Sequence, residues 1–240
     1  MSAPGWNPLG DVLEFLMGGL KVGGAQEERV IRWKRGRATD LTLSHDQVRY
    51  VVVDTETSGL DLKRDRLIAI GAAAVTSGKV ELADCFETVL RQEKASAVAN
   101  ILIHGIGGEM QMGGIEPKAA MLDFLEYLGK APLAAFRAEF DRTIIERSMK
   151  SILGLPFRHP WIDLAFLLPA LFPGTECRSL DDWLAHFGLA DGARHHAVAD
   201  AFATAMLLQI ALVAAERENM GTAAQLIAMQ KAQVWLGKRA

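Results

Sequence analysis

The run Tyr50-Val-Val-Val53 constrains the fold more than any other stretch of this chain. Consecutive aromatic and β-branched residues leave no polar face, so the segment is predicted to be a strand buried on both sides, with other elements packed above and below it. It is cut off by the turn-forming pair Ser58-Gly59. Two further apolar runs, Leu67 to Val75 and Val80 to Leu90, flank Ser77-Gly78, and the three runs together predict an antiparallel meander.

Beyond the meander the apolar spacing changes. After a Gly-rich loop around His104 to Gly114, Pro117 suits a first helical position, and Met121, Phe124, Leu125 and Leu128 continue at helical spacing to Gly129. Leu133 to Phe136 is predicted as a short strand, Glu139 to Lys150 as a helix, and Asp163 to Phe172 as an apolar helix or turn interrupted by Pro169. Ser179 and Asp182 form a capping box that opens a helix through Phe187. A last core helix runs from Ala197 to Arg217. Strands first, then helices alternating with short strands, predict an α/β domain with a mixed sheet flanked by helices over residues 48–217. Residues 1–47 form an N-terminal appendage and 218–240 a C-terminal helical tail. The appendage carries Arg29, Arg32, Lys34, Arg35 and Arg37 around Trp33, a cluster that suits either a solvated face or a nucleic-acid or partner contact.

With 50% hydrophobic and 23% charged residues, the chain is neither disordered, collagen-like nor a pure coiled coil. The net charge of −3 gives no overall positive field and by itself argues against nucleic acid. Two cysteines, Cys85 and Cys177, cannot frame a disulfide scaffold and suit a reducing, cytoplasmic setting. The first residues lack a basic leader, and Asp11 and Glu14 interrupt their apolar run, so no signal peptide is expected. The apolar stretch Ala201 to Ala215 falls short of the roughly 20 residues a bilayer span needs, so no membrane partner is expected.

Three acidic strings carry the chemistry. In Asp54-Thr55-Glu56, strand alternation sends both carboxylates to one face and Thr55 to the other. Such a pair beside a buried strand repels itself unless protons or cations neutralise it, and hard divalent ions such as Mg²⁺ or Mn²⁺ favour oxygen ligands. In Phe136-Arg-Ala-Glu-Phe-Asp141, a strand feeds a helix with Asp141 in its first turn, where the helix dipole favours an acid in any case. In His195-His-Ala-Val-Ala-Asp200, an aspartate sits one turn into an apolar helix, where an unpartnered carboxylate is rarely tolerated.

Together DTETSG, AEFD and HHAVAD, with the intervening ILIHGIGGEM and IDLAFLLPALFP…RSLDDWLAHFGL stretches, resemble the DEDD 3′–5′ exonuclease family typified by the proofreading epsilon subunits of bacterial DNA polymerase III. The resemblance spans about 165 residues. It implies a ribonuclease-H-like fold and a nuclease that releases nucleoside 5′-monophosphates from single-stranded or frayed 3′ ends of DNA. Asp54, Glu56, Asp141 and Asp200 would hold two Mg²⁺ or Mn²⁺ ions, and His195 would serve as general base. The family divides into His and Tyr branches; the only tyrosines are Tyr50 and Tyr127, neither near Asp200 in sequence, which fits the His branch. His196 competes with His195 for that role, and the family spacing of five residues before the last Asp favours His195. Thr57, Leu60 and His104 match positions that contact the terminal nucleotide. Arg137 replaces an Asn common in the family, which leaves substrate preference open between a phosphate contact and a surface role. Two readings stand beside this one: an exoribonuclease trimming RNA ends, and a non-catalytic module binding nucleic acid or a DNA polymerase.

Overall fold

The computed structural model describes residues 19–189 and 196–237, with side chains described through residue 233. Its centre is a five-stranded sheet of β1 (Tyr50–Thr57), β2 (Leu67–Thr76), β3 (Lys79–Val89), β4 (Leu133–Ala135) and β5 (Trp161–Asp163), in the order β3-β2-β1-β4-β5. The first three strands pair antiparallel, as the meander predicts, while β1, β4 and β5 run parallel. β5 escaped the sequence reading because three residues are too short for a periodicity to show.

The helices are α1 (Ala25–Arg35), α2 (Val98–His104), α3 (Gly108–Met112), α4 (Pro117–Leu128), α5 (Glu139–Ser148), α6 (Leu164–Leu171), α7 (Leu180–His186), α8 (Ala197–Arg217) and α9 (Ala223–Gly237). Pro117 opens α4 and Gly129 closes it, and the Ser179/Asp182 capping box opens α7, as the sequence indicates. The expected Gly-rich loop at 104–114 is instead the join between two short helices. Gly105, at φ 70°, takes the left-handed cap that ends α2.

Alternation along β1 sorts the core into two layers. Val51 and Val53 face Val30, Phe124, Leu125 and Ile144 from α1, α4 and α5. Tyr50 and Val52, with Ala73 and Val75 of β2, face Leu167, Leu208 and Leu226 from α6, α8 and α9. α8 is the one described helix long and apolar enough to cross a membrane; here it lies across β1, β2 and β3 as the central core helix.

The flanking segments pack onto these layers. Val30 of α1 is fully buried, Arg29 is held by Asp123 at 2.6 Å and Glu126 at 2.7 Å, and Trp33 Nε1 donates to the Gly129 carbonyl at 2.6 Å. The Lys130 ammonium lies 3.3 Å from the centre of the Trp33 ring. Arg29 and Trp33 of the conspicuous basic cluster thus fasten α1 to α4 and to the turn that closes it. At the other end of the chain, Ala223 and Leu226 of α9 enter the core, and Gln230 accepts the Asp163 N–H at 2.8 Å.

Candidate metal centre

The parallel strands β1, β4 and β5 all end on one edge of the sheet, the edge where open α/β sheets place their sites. Asp54 and Glu56 leave the end of β1 toward the α8 layer. Asp200 comes from the first turn of α8 and is 6% exposed. One carboxylate oxygen from each of Asp54, Glu56 and Asp200 lies within 4.8 Å of the others. Strand and helix are both rigid, so this convergence belongs to the fold and not to a mobile loop.

Gly71 makes the approach feasible. It pairs with Asp54 across β1 and β2, and a Cβ added there would stand 2.1 Å from the Ala197 carbonyl carbon and 2.2 Å from the Val198 nitrogen. Only a residue without a side chain lets the start of α8 rest on the sheet beside Asp54.

Asp141 enters from the opposite layer. It sits in the first turn of α5, buried, and Thr55 Oγ1 donates to its Oδ1 at 2.7 Å. It is not one of the three clustered carboxylates, because Thr55 is the β1 residue that points its way. Its charge still reaches Glu56. The Glu56 carboxyl is pushed up to about 7, chiefly by burial and then by the charges of Asp200 and Asp141. Burial raises Asp141 as well, against the downward pull of the Thr55 hydroxyl.

Asp163, which the sequence reading passed over, braces this second approach. Its Oδ1 accepts the Arg137 N–H and the Ala165 N–H, both at 2.9 Å, so one carboxylate ties the end of β5 to the turn that feeds α5 and to the start of α6. Arg137 has a left-handed backbone at φ 60°, unusual for a non-glycine residue, and the Asp163 bond holds that turn four residues ahead of Asp141. An aspartate inside the apolar string Trp161 to Leu168 was the available signal.

The remaining sequence candidates fall into different settings. His195 lies outside the described residues. Its neighbour His196 stands at the N-cap of α8, with Nε2 3.4 Å from Glu87 Oε1. Thr57 is buried and donates to the Gly59 carbonyl at 2.6 Å, shaping the turn that carries Leu60, which is 86% exposed. His104 is 2% exposed; its Nδ1 accepts the Ile106 N–H at 3.0 Å and its Nε2 faces Ser96 Oγ at 3.5 Å, so the ring holds the α2–α3 corner together and presents neither nitrogen to solvent. The Arg137 guanidinium reaches the Arg178 carbonyl at 3.2 Å, at the wall of a cavity of about 500 Å³ shared with Phe166, Cys177 and Trp183.

The donor set fits a divalent cation. It is all oxygen, it concentrates negative charge in a poorly hydrated place, and the raised Glu56 shows what that concentration costs when no cation offsets it.

The mixed sheet in this order, with helices on both faces, is the ribonuclease-H-like class of fold. Within that class the chain belongs to the RNase T exonuclease family, whose model matches residues 51–208. It is 29% identical over 164 residues to the PolC-type DNA polymerase III of Thermotoga petrophila, a match covering 68% of this chain and 12% of that one. It is 28% identical over 159 residues to the DNA polymerase III epsilon subunit of Treponema pallidum, covering 65% of this chain and 73% of that one. This chain therefore spans about an eighth of the length of the PolC-type relative. A solved structure of exonuclease X in complex with 5′ overhanging duplex DNA superposes with a TM-score of 0.60 at 22% identity, over 75% of this chain and 99% of that one, and so shares the fold. Exonucleases of this family depend on divalent metal ions, in keeping with the acidic cluster.

Proposed function

We propose that this protein is a metal-dependent 3′–5′ exonuclease that hydrolyses the terminal phosphodiester of DNA and releases nucleoside 5′-monophosphates. The observation that carries the reading is the convergence of Asp54, Glu56 and Asp200 within 4.8 Å inside a family-matched domain. Asp54, Glu56 and Asp200, with Asp141 from the opposite layer, would hold two Mg²⁺ or Mn²⁺ ions. Ions so held supply Lewis-acid stabilisation of charge on phosphate oxygens and help ionise the attacking water.

The chain's own groups do the rest. Thr55 fixes Asp141 by its hydroxyl, Asp163 holds the turn that leads to Asp141, and Gly71 admits the start of α8. His195 takes the proton from water, a role that suits an imidazole because a free one titrates near neutrality. Leu60, exposed on the turn after β1, offers an apolar contact to an unpaired terminal base. Residues 48–217 form the catalytic domain, with 1–47 as an N-terminal appendage and 218–240 as a C-terminal tail. The polymerase relatives support a place beside a DNA polymerase in the cytoplasm.

Digestion of 5′-labelled single-stranded DNA, mismatched duplex DNA and RNA with Mg²⁺ or Mn²⁺ tests the reading. A ladder shortening from the 3′ end of DNA, lost with EDTA and in Asp54→Ala, is expected. Faster turnover of RNA would replace the DNA exonuclease with an exoribonuclease, and full activity in Asp54→Ala would remove the site.

A further inference from the structure

The turn between β1 and β2 walls a cavity of about 400 Å³, lined by Lys63, Arg64, Arg66, Arg91 and Arg147 with a single acidic residue, Asp65. Lys63, Arg64 and Arg66 are close in sequence, and the fold brings Arg91 and Arg147 to them. Asp65 is already engaged, accepting from Ser58 Oγ at 2.8 Å and from the Asp61 N–H at 2.7 Å. Arg66 donates to the Lys94 carbonyl at 3.2 Å and Arg147 to the Leu62 carbonyl, contacts that aim the guanidinium groups without cancelling their charge. Arg64 is 3.9 Å from Asp61, with its side chain 89% exposed. Among the described residues, no carboxylate lies within ion-pair reach of Lys63, Arg66, Arg91 or Arg147.

The place matters as much as the charge. The Ser58 N–H donates to the Arg66 carbonyl at 3.0 Å, so part of the cavity's lining lies beside the turn that follows Glu56, while Arg147 and Ser148 form another wall at the far end of α5, the helix that opens with Asp141. A chain with a net charge of −3 has here concentrated uncancelled cations next to its acidic centre.

We propose that this cavity binds the phosphodiester backbone of the strand whose 3′ end enters the carboxylate site, gripping phosphates upstream of the bond to be cut. The proposal rests on the nuclease reading for its choice of ligand. Cations tracking a backbone are sequence-independent, and each phosphate they neutralise adds a salt-dependent increment to affinity.

The test is binding of fluorescein-labelled oligothymidylates of three and twelve nucleotides, followed by anisotropy in EDTA so that nothing is digested, together with turnover in Mn²⁺ of the twelve-mer and of the p-nitrophenyl ester of thymidine 5′-monophosphate. The variant is Lys63→Glu/Arg64→Glu/Arg91→Glu, with Lys63→Gln/Arg64→Gln/Arg91→Gln as the milder form if charge reversal disturbs folding. For the Gln form, three lost contacts should weaken twelve-mer binding roughly a hundredfold at about 0.1 M salt and flatten the log–log salt slope by about 2. The ratio of twelve-mer to ester turnover should fall about tenfold or more. Unchanged affinity and salt slope in both variants overturn the proposal. So does equal affinity of the wild type for the two lengths with displacement by millimolar inorganic phosphate, which would mark a site for free phosphate. If the wild type digests nothing yet the variants lose twelve-mer binding, the backbone site stands and the exonuclease reading falls.

Discussion

The two faces of β1 treat acid in opposite ways. Toward α8, Asp54 and Glu56 meet Asp200 with their oxygens within 4.8 Å, an arrangement with too much negative charge for its surroundings. Toward α5, Asp141 is met by a hydroxyl, Thr55 Oγ1 at 2.7 Å. The strand period of two decides which treatment each carboxylate receives, since Thr55 lies between the two acids in sequence and behind them in space. One face gathers carboxylates whose charge a divalent cation would offset, and the other holds a single carboxylate in place.

The sharpest break of this contrast is Asp54→Ala, which removes an oxygen from the crowded face. Activity on single-stranded DNA should fall on the order of 10³-fold or more, with folding retained, as for other residues that act as one catalytic unit. Gly71→Ala leaves every carboxylate present but drives the start of α8 off the sheet, because the new methyl would stand 2.1 Å from the Ala197 carbonyl carbon. Overpacking of this kind costs about 1–3 kcal/mol, and an ångström-scale displacement of Asp200 should lower turnover about 10²-fold. Wild-type turnover in Gly71→Ala would show that the approach of α8 to the sheet does not govern the site.

Cation binding should then separate the faces thermodynamically. At a hundred times the dissociation constant, Mn²⁺ or Mg²⁺ should add about 2.7 kcal/mol to stability, seen as a rise in Tm. The gain should shrink below pH 7, where the metal must displace the proton that burial and the Asp200 and Asp141 charges keep on Glu56. Asp200→Ala should lose the metal-induced rise. Thr55→Val, which strips the hydroxyl from Asp141 without touching the other face, should keep most of it and lose about 1 kcal/mol of metal-free stability. Equal loss in both variants, read by thermal melts with and without metal, would erase the distinction.

Legibility in the sequence followed the same physics. Tyr50 to Val53, the capping box of α7 and the limits of α8 could be read because each rests on contiguous, local signals. The acidic strings were legible as strings, and strand alternation placed Thr55 on the face opposite Asp54 and Glu56 before any coordinates. What could not be read was convergence. Gly71 is one small residue in an alanine-rich strand, and its need for contact with Ala197 appears only when α8 is laid on the sheet. Charge shows the same asymmetry. The cluster around Trp33 is obvious in sequence, yet Arg29 is neutralised by Asp123 and Glu126; beside the β1–β2 turn, Lys63, Arg64 and Arg66 are joined by Arg91 and Arg147 only in the fold. The loop expected at 104–114 instead takes in the end of α2 and the short α3, where His104 and Gln111 bury polar side chains satisfied by Ile106 and Ser96, a tertiary gain that glycine content alone hides.

The α8-facing side of β1 also titrates with opposite signs at its two ends. At the site end, metal-free Glu56 has a folded pKa near 7, above its ordinary value, so its contribution to stability is full at low pH and is lost as pH rises through 7. At the other end, His45 is 1% exposed, with Nδ1 2.6 Å from the Tyr50 hydroxyl and Nε2 3.0 Å from the Met220 carbonyl. A carbonyl can only accept, so Nε2 carries the proton and Nδ1 accepts from Tyr50, a pairing that protonation of Nδ1 would break. Burial lowers this histidine's pKa, outweighing the Met220 carbonyl and the nearby Glu216 and Asp46. A folded pKa below the unfolded value gives stability that is full above about pH 6.5 and declines as the pH falls, by at most about 1.4 kcal/mol per pH unit. His45→Gln keeps a donor and an acceptor while removing the titration. The difference in unfolding free energy between wild type and His45→Gln, from urea melts in EDTA, should therefore shift against the wild type between pH 7.5 and 5. Because Glu56 is common to both proteins, its opposite trend cancels in that difference, and a flat difference across the range would mean that the His45 end of the strand does not couple to protons.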